Sequence, residues 1–271
     1  MTKTISIIIP TYNRLFALAE LIECLYQQSY QNFEVIIVND AGQSVEIIKN
    51  LYPELYITII NLTKNSQHVI ARNIGLDIAK TEFILLCDDD DLLHPTHLEN
   101  LVNAIDNYDL LFTDAEIFNY KISKNTRIPI DIRLFAYKYD PQAIRIFSTF
   151  IPSGCLYRRS IHKKIGLFDS ELHNYWDWDF ILRVQAEFRV NKLPIASVYY
   201  AFSNENNMSA NHQDMTDYLT KLCQKHNLGK LPTKNFFLEA TANYVSFSKT
   251  EFISYAYHLA TKSRVDLSKL Q

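Results

Sequence analysis

The first hundred residues alternate short apolar runs with stretches that carry apolar residues at helical spacing. The apolar runs predict buried strands over residues 5–9, 33–38, 56–62, 83–87 and 108–113. The helical spacing predicts helices over residues 15–27, 45–51, 69–79 and 95–105. The last helix opens at Pro95, a residue favoured in a first turn, and the flanking His94 and His97 are expected at the surface. Strand–helix alternation of this kind predicts an α/β fold with a mainly parallel sheet flanked by helices.

Beyond residue 119 the pattern becomes weaker. Residues 119–145 show no clear periodicity, whereas residues 154–157 and 193–202 predict strands and residues 177–188 predict a helix. From residue 215 onward the spacing of apolar residues is helical. We therefore divide the chain into a domain over residues 1–205 and a helical C-terminal extension over residues 206–271.

Polar motifs follow three of the predicted strands. Pro10-Thr11-Tyr12-Asn13-Arg14 follows the first strand, Asn39-Asp40-Ala41-Gly42 follows the second, and Asp88-Asp89-Asp90-Asp91 follows the fourth. The carboxyl ends of parallel strands meet at one edge of a sheet, where α/β proteins bind their ligands. The sequence thus predicts a binding site at this edge, although Asn-Asp-Ala-Gly is also a good turn by its own chemistry.

The four successive aspartates predict a metal site. Neighbouring carboxylates repel one another, and a bound cation removes that repulsion. Carboxylate oxygens suit Mg²⁺ or Mn²⁺, which fill their remaining positions with water and substrate phosphates. Such a metal would neutralise a diphosphate. The alternative is a solvated acidic turn after a buried strand.

Composition excludes several other classes of protein. The five glycines are scattered, so neither a GxGxxG fingerprint nor a glycine-rich phosphate loop is present. A net charge of −3 gives no global attraction to nucleic acid. The four cysteines form no CxxC pair and indicate a reducing compartment. No apolar run approaches the length of a membrane span, so we expect a cytoplasmic protein, with peripheral contact at the inner face of the membrane.

Taken together, these motifs resemble those of family 2 glycosyltransferases, which have the GT-A (nucleotide-diphospho-sugar transferase) fold. The resemblance is carried, in order, by SIIIPTYNR (6–14), FEVIIVNDAG (33–42), ARNIGLDIAKTEFILLCDDDDLLHP (71–95) and GLFDSELHNYWDWDFILR (166–183). It implies a nucleotide-binding half over residues 1–115 and an acceptor-binding half over residues 116–205. The extension over residues 206–271 lies outside it.

The resemblance also implies roles for individual residues. Asp88 and Asp90 would be the two acids of the DxD motif, with Asp90 the direct ligand of Mn²⁺ or Mg²⁺. Four aspartates in a row leave the register of this pair open by one position. The residues implied to contact the nucleoside, ribose or phosphates of the donor are Pro10, Thr11, Tyr12, Asp40, Arg72, Asp88 and Asp89.

Asp177 takes the position of the family's general base. The family commonly has Glu-Asp-Trp-Asp there, whereas this chain has Trp176 before Asp177. Asp177 and Asp179 lie two residues apart and cannot share a helix face, so we expect Asp179 to serve the helix N-terminus and Asp177 to face the cleft. The flanking Trp176 and Trp178 would raise the pKa of Asp177 by desolvation.

The predicted function is that of an inverting, metal-dependent, hexosyltransferase-type glycosyltransferase. It would move a sugar from a nucleotide diphosphate donor, expected to be a UDP-sugar, to a hydroxyl of a saccharide or lipid-linked acceptor in bacterial surface polysaccharide synthesis. One alternative is a catalytically inactive module that binds sugar nucleotides. A nucleotidyltransferase is disfavoured, because that class needs a glycine-rich basic loop where this chain has Pro10 to Arg14.

Overall fold

The computed structural model describes residues 3–123, 126–202, 212–234, 236–240 and 264. Nine strands in this part of the chain form one sheet with helices on both faces. The strands are β1 (Ile5–Thr11), β2 (Phe33–Asn39), β3 (Ile57–Asn61), β4 (Phe83–Leu86), β5 (Leu92–Leu93), β6 (Leu110–Ser123), β7 (Thr126–Phe135), β8 (Leu156–Arg158) and β9 (Val190–Phe202). The helices are α1 (Leu15–Tyr26), α2 (Ile47–Leu51), α3 (His68–Ile78), α4 (His97–Ala104), α5 (His162–Ile165), α6 (Trp176–Glu187), α7 (His212–His226) and α8 (Phe236–Glu239).

The strand order is β3-β2-β1-β4-β8-β6-β9-β5, with β7 beside β6. The first four strands are parallel, and Ile5 of β1 aligns with Phe33 of β2 and Phe83 of β4. Beyond β4 the sheet becomes mixed, because β8 runs antiparallel to both β4 and β6 while β6 and β9 are parallel. The predicted α/β architecture is confirmed.

The first strands are apolar throughout because both faces of the sheet are covered. Ile5, Ile7 and Ile9 of β1 join one core cluster together with residues of α1 and α4. Ile8 points the other way and joins a second cluster with residues of α3 and α6. A strand buried on both faces shows a continuous apolar run rather than an alternation. All four cysteines are buried thiols.

The segment without clear periodicity, residues 119–145, contains most of a β-hairpin. β6 continues to Ser123, well past the predicted end at residue 113, and pairs antiparallel with β7. β7 is an edge strand that turns Ile128, Ile130 and Ile132 outward, where each is at least 40% exposed. Outward isoleucines reverse the usual polarity of a half-buried strand, and Pro129 within the run argues against a strand. The pattern of apolar and polar residues therefore did not predict this hairpin.

The helical extension predicted over residues 206–271 lies largely outside the described residues. Within them it contains α7 and α8, and α7 packs against the second core cluster through Leu219 and Leu222. Among the described residues, no helix combines the length and the apolar character needed to cross a membrane.

Gly75 of α3 allows this helix to approach β1 closely. A Cβ placed on Gly75 would lie 2.6 Å from Cγ2 of Ile8, in the packed core. We expect Gly75→Ala to lower the free energy of unfolding by about 1–3 kcal/mol, because the overpacking outweighs the better helix propensity of alanine. Urea unfolding measures the change. Asp77→Ala, on the solvent face of the same helix, is the control and should change stability by less than about 0.5 kcal/mol; equal effects of the two variants would contradict the argument.

Candidate active site

The ends of β1 and β2 form one rim of a cavity. Because the two strands are parallel, Thr11 aligns with Asn39 at the same edge of the sheet. The chain then turns through two non-glycine residues with positive φ, Asn13 (57°) and Ala41 (60°). The two turns lie so close together that a Cβ on Gly42 would fall 2.7 Å from the backbone nitrogen of Asn13. Gly42 is therefore required by this close approach.

Asp40 and Thr11 are held in place at this rim. One carboxylate oxygen of Asp40 accepts a 2.6 Å hydrogen bond from the backbone N–H of Ser66. The hydroxyl of Thr11 donates to Asp89 at 2.7 Å, so the end of β1 also positions the aspartate run. The fixed carboxylate of Asp40 lines the cavity and presents acceptor oxygens, which suit nucleobase N–H groups or ribose hydroxyls.

The aspartate run forms a turn after β4, closed by the backbone N–H of Asp91 donating to the carbonyl of Asp88 at 3.2 Å. Asp88 and Asp90 are half-buried and line the cavity. Asp89 is buried at its wall, and Asp91 is buried away from it. Asp91 accepts a 2.8 Å hydrogen bond from the backbone N–H of Ala201, which fastens the run to β9. The two more open carboxylates are thus those of Asp88 and Asp90.

Two arginines balance part of this negative charge. Arg14 contacts Asp90 at 2.5 Å and Asp89 at 3.2 Å, and Arg72 forms an ion pair with Asp88. Burial nevertheless raises the pKa of Asp89 to about 7, and it also raises the pKa of Asp90, although Arg14 opposes both shifts. A raised pKa means that the anionic form has too few favourable partners. An additional cation at this edge would supply one.

The donor atoms at this edge fit a hard divalent cation. Asp88 and Asp90 offer only carboxylate oxygens, which Mg²⁺ and Mn²⁺ prefer. Within the described part of the chain, no three histidine, cysteine, aspartate or glutamate side chains are placed to enclose a metal. The site therefore suits a metal whose coordination is completed by water and substrate oxygens rather than by the protein alone.

Asp177 lines the same cavity. It occupies the first turn of α6 and is half-buried between the buried rings of Trp176 and Trp178. Desolvation raises the pKa of Asp177 to about 7, against the opposing hydrogen bond from the backbone N–H of Trp178. A carboxylate with this pKa is a stronger base than an ordinary aspartate and is still ionised in a large fraction of molecules at neutral pH.

Asp179, two residues further along α6, has a different environment. It is fully buried. Its carboxylate oxygens lie 2.7 Å from a nitrogen of Arg183, 2.7 Å from the ammonium of Lys225 and 2.8 Å from Nε2 of His226. Burial alone would raise its pKa, but these partners lower the pKa to about 2. Asp179 thus joins α6 to α7 and does more than the helix N-terminal role expected from the sequence. The role of Asp177 as a base stays a prediction.

His97 is not at the surface, and that prediction is wrong. Its ring is fully buried, with Nε2 donating to the carbonyl of Gly154 at 2.8 Å and Nδ1 accepting from the hydroxyl of Ser197 at 2.8 Å. Burial lowers its pKa to about 4, so the ring is neutral. The neighbouring Ser153 accepts a 2.9 Å hydrogen bond from the backbone N–H of Asp88. His97 thus supports the loop that holds the start of the aspartate run.

Arg127 of β7 also supports the aspartate run and was not predicted. It donates to Glu20 at 2.6 Å and to the carbonyl of Asp90, and its guanidinium lies over the rings of Phe118 and Tyr120. The sequence feature that could have indicated this role is the alternation along β7, in which Arg127 takes an inward position and isoleucines take the outward positions. Without knowledge of the hairpin, that alternation could not be assigned to a face.

Described residues of the C-terminal extension line part of the cavity. The backbone carbonyls of Phe237 and Glu239 accept hydrogen bonds from Arg133 at 3.1 Å and from the hydroxyl of Tyr137 at 2.6 Å, which attach this segment to the strand β7 and the residues that follow it. The extension residues in the described part of the chain that line the cavity are Met215, Pro232, Thr233, Lys234, Leu238 and Glu239. This described part of the extension therefore belongs to the candidate site.

One cavity of about 800 Å³ brings together every site residue proposed from the sequence. This volume lies in the range of pockets that bind small molecules and cofactors. The residues are Pro10, Thr11, Tyr12, Asp40, Arg72, Asp88, Asp89, Asp90 and Asp177. Their placement is now established, and the role of each stays a prediction.

Known proteins share both the sequence and the fold. Residues 6–166 match the sequence profile of Glycosyl transferase family 2. The chain is 51% identical over 234 residues to the uncharacterized glycosyltransferase YwdF of Bacillus subtilis (strain 168). The match covers 86% of this chain and 87% of the Bacillus protein.

Two solved structures have a similar fold. Staphylococcus aureus TarS 1–349 in complex with UDP-GlcNAc superposes with a TM-score of 0.66 and 23% sequence identity, covering 86% of this chain and 68% of that one. Mannosyltransferase PcManGT from Pyrobaculum calidifontis, in complex with GDP-Man and Mn²⁺, superposes with a TM-score of 0.61 and 17% sequence identity. That match covers 84% of this chain and 65% of the mannosyltransferase chain. At these identities the likeness concerns the fold alone.

The profile match covers more than half of the chain, and the Bacillus relative is matched over most of its length. These findings agree with the sheet order and the cavity at its edge, and they identify the family of the protein. The chain belongs to glycosyl transferase family 2 and is a glycosyltransferase with the GT-A fold.

Proposed function

We propose that the protein transfers a sugar from a UDP-sugar to a hydroxyl of a saccharide or lipid-linked acceptor, with inversion at the anomeric carbon. The observation that carries this proposal is the layout of the cavity. The polar and acidic ends of β1, β2 and β4 and Asp177, a carboxylate with a pKa of about 7, line one continuous space. Such a space accommodates a nucleotide on one side and a nucleophile with its base on the other.

The donor would lie along the strand ends. Thr11 and Asp40 would contact the nucleoside, with the fixed carboxylate of Asp40 accepting from the base or ribose. Arg72 and Asp89 would lie near the ribose and phosphates. The buried guanidinium of Arg72 lines the cavity and has two nitrogens, Nε and Nη1, without a hydrogen-bond partner among the described residues, so an oxygen of the donor would satisfy them.

Asp90 and Asp88 would hold a divalent metal, Mn²⁺ or Mg²⁺. When bound, such an ion takes up negative charge on the departing diphosphate. The excess of carboxylates over arginines at this edge supports the assignment, as do the raised pKa values of Asp89 and Asp90. Mn²⁺ in the mannosyltransferase of similar fold is a further reason to test this ion first.

Asp177 would act as the general base. The acceptor oxygen attacks the anomeric carbon while its proton passes to the carboxylate of Asp177, and the bond from that carbon to the diphosphate oxygen breaks. A single displacement of this kind inverts the configuration and needs no covalent sugar–enzyme intermediate. A base in this position supports an enzyme rather than an inactive sugar-nucleotide-binding module.

Four more specific predictions belong to the same proposal. Transfer of a hexose, an acceptor from bacterial surface polysaccharide synthesis, a cytoplasmic location and peripheral contact with the membrane remain predictions. The UDP-GlcNAc bound by the TarS structure makes that donor the first candidate.

Calorimetric titration of UDP, with and without Mn²⁺, tests the donor site. We expect binding that depends on the metal, and we expect Asp90→Asn to weaken it by at least about tenfold, because the variant loses a charged metal ligand. Asp91→Asn is the matched control, since Asp91 lies in the same run but faces away from the cavity; it should keep the affinity. Metal-independent binding, or equal losses in the two variants, would contradict the assignment of Asp90.

Release of UDP from UDP-GlcNAc, with water as acceptor, tests the base. We expect Asp177→Asn to lower the rate by about 10²- to 10⁴-fold and to leave UDP affinity nearly unchanged. Only the ionised carboxylate accepts a proton, and the pKa of Asp177 is about 7. The wild-type rate should therefore fall as the pH drops below about 7, and this fall should be absent in the pH–rate profile of Asp177→Asn.

Asp179→Asn is the control for this experiment. Asp179 lies on the same helix but binds Lys225 and His226, so its replacement should lower thermal stability and preserve the dependence of the rate on pH. The role of Asp177 would be overturned if Asp177→Asn kept the wild-type turnover. It would also be overturned if the rate of this variant still fell as the pH drops below about 7.

A further inference from the structure

The guanidinium of Arg72 lies between the two sides of the cavity. Its Nη2 pairs with Asp88 of the aspartate run. Its central carbon lies 4.2 Å from the centroid of the Trp176 ring, the first residue of α6. Arg72 is only 3% exposed, so both contacts are shielded from solvent. This one side chain thus contacts the metal-binding edge and the helix that carries Asp177.

The two contacts use different parts of the guanidinium. Stacking on an aromatic ring occupies a flat face of the group, whereas hydrogen bonds leave from its edge. One edge nitrogen of Arg72 is taken by Asp88, and the other two, Nε and Nη1, are buried without a hydrogen-bond partner among the described residues. Buried donors without partners are costly, and these belong to a side chain that lines the cavity.

Trp176 is itself held rigidly. Its ring is 5% exposed and packs edge-on against Phe168, with centroids 5.2 Å apart, and against His68 at 6.3 Å. A large ring fixed on two sides offers a flat surface that cannot turn aside. An arginine stacked on such a surface loses much of its rotational freedom before a ligand arrives, so ligand binding then costs less conformational entropy.

We propose that Trp176 is a positioning residue for donor binding: it fixes the plane of Arg72 so that the two free N–H groups meet an oxygen of the bound nucleotide. The inference rests on the proposed donor site and adds a link to it. Because Trp176 directly precedes Asp177, the same residue joins the donor edge to the helix of the base.

A double-mutant cycle on UDP affinity, measured calorimetrically with Mg²⁺ on the full chain, tests whether Trp176 acts through Arg72. We expect Trp176→Leu to weaken UDP binding by about two- to thirty-fold, the range of a shielded cation–π contact. Trp176→Phe keeps an aromatic face and should recover most of the loss. In the Arg72→Lys background, Trp176→Leu should change the affinity by less than about twofold.

Trp178 supplies the matched control. It lies on the same helix and lines the same cavity, but its indole N–H donates to the carbonyl of Ile144 at 2.6 Å rather than facing Arg72. Any effect of Trp178→Phe on UDP affinity should be the same with and without Arg72→Lys. A purely structural role of Trp176 would likewise give additive effects.

Tryptophan fluorescence gives a second readout, which uses only the conservative Phe variants. With Mg²⁺ to avoid paramagnetic quenching, UDP should change the emission of the wild type and of Trp178→Phe, in which Trp176 is the remaining tryptophan. In Trp176→Phe, whose remaining Trp178 also lines the cavity, the change should be smaller than in Trp178→Phe.

The outcomes separate this inference from the proposed donor site. Two results would overturn the role of Trp176 and leave the donor site intact, provided that the wild type binds UDP. One is additive effects of Trp176→Leu and Arg72→Lys, and the other is a fluorescence change in Trp176→Phe that equals or exceeds the change in Trp178→Phe. Absence of UDP binding in the wild type would overturn the donor site and this inference with it. Non-additive losses of affinity, together with the larger fluorescence change from Trp176, would support both.

Discussion

The structure depends on holding four neighbouring carboxylates at the carboxyl end of β4. Their mutual repulsion favours either protonation or an additional cation. Asp91 is separated from the others by its bond to the backbone of β9, and Arg14 and Arg72 contact the remaining three. Arg127 holds the backbone of the same turn. The positive charge from these side chains does not fully compensate the carboxylates, which is why this edge suits a metal and a diphosphate together.

Asp177 and Asp179 show how environment divides two identical side chains. They lie two residues apart on α6, yet desolvation raises the pKa of Asp177 to about 7, while partners from α6 and α7 lower that of Asp179 to about 2. The first is suited to accept a proton and the second to hold two helices together. Their proximity means that the contact between α6 and α7 supports the helix turn on which the proposed base lies.

The two sides of the cavity differ in origin. The strand ends and the aspartate run fall within residues 6–166, where the family match lies. Asp177 and the segment that includes Lys234 and Glu239 lie beyond it and complete the wall. Backbone hydrogen bonds attach this segment to Arg133 and Tyr137. The cavity is thus lined by parts of the chain that are distant in sequence.

The sequence by itself determined the parallel strands β1 to β4 with the helices between them, and the position of the acidic edge, because buried parallel strands leave continuous apolar runs and polar residues at their ends. It also singled out Asp177. It did not determine the hairpin of β6 and β7. Only the tertiary structure showed that Trp176 stacks on Arg72, that His97 is buried and that Arg127 reaches the aspartate turn. These contacts join distant segments through single side chains, and periodicity records only which face of an element is apolar, not what a buried polar group meets there.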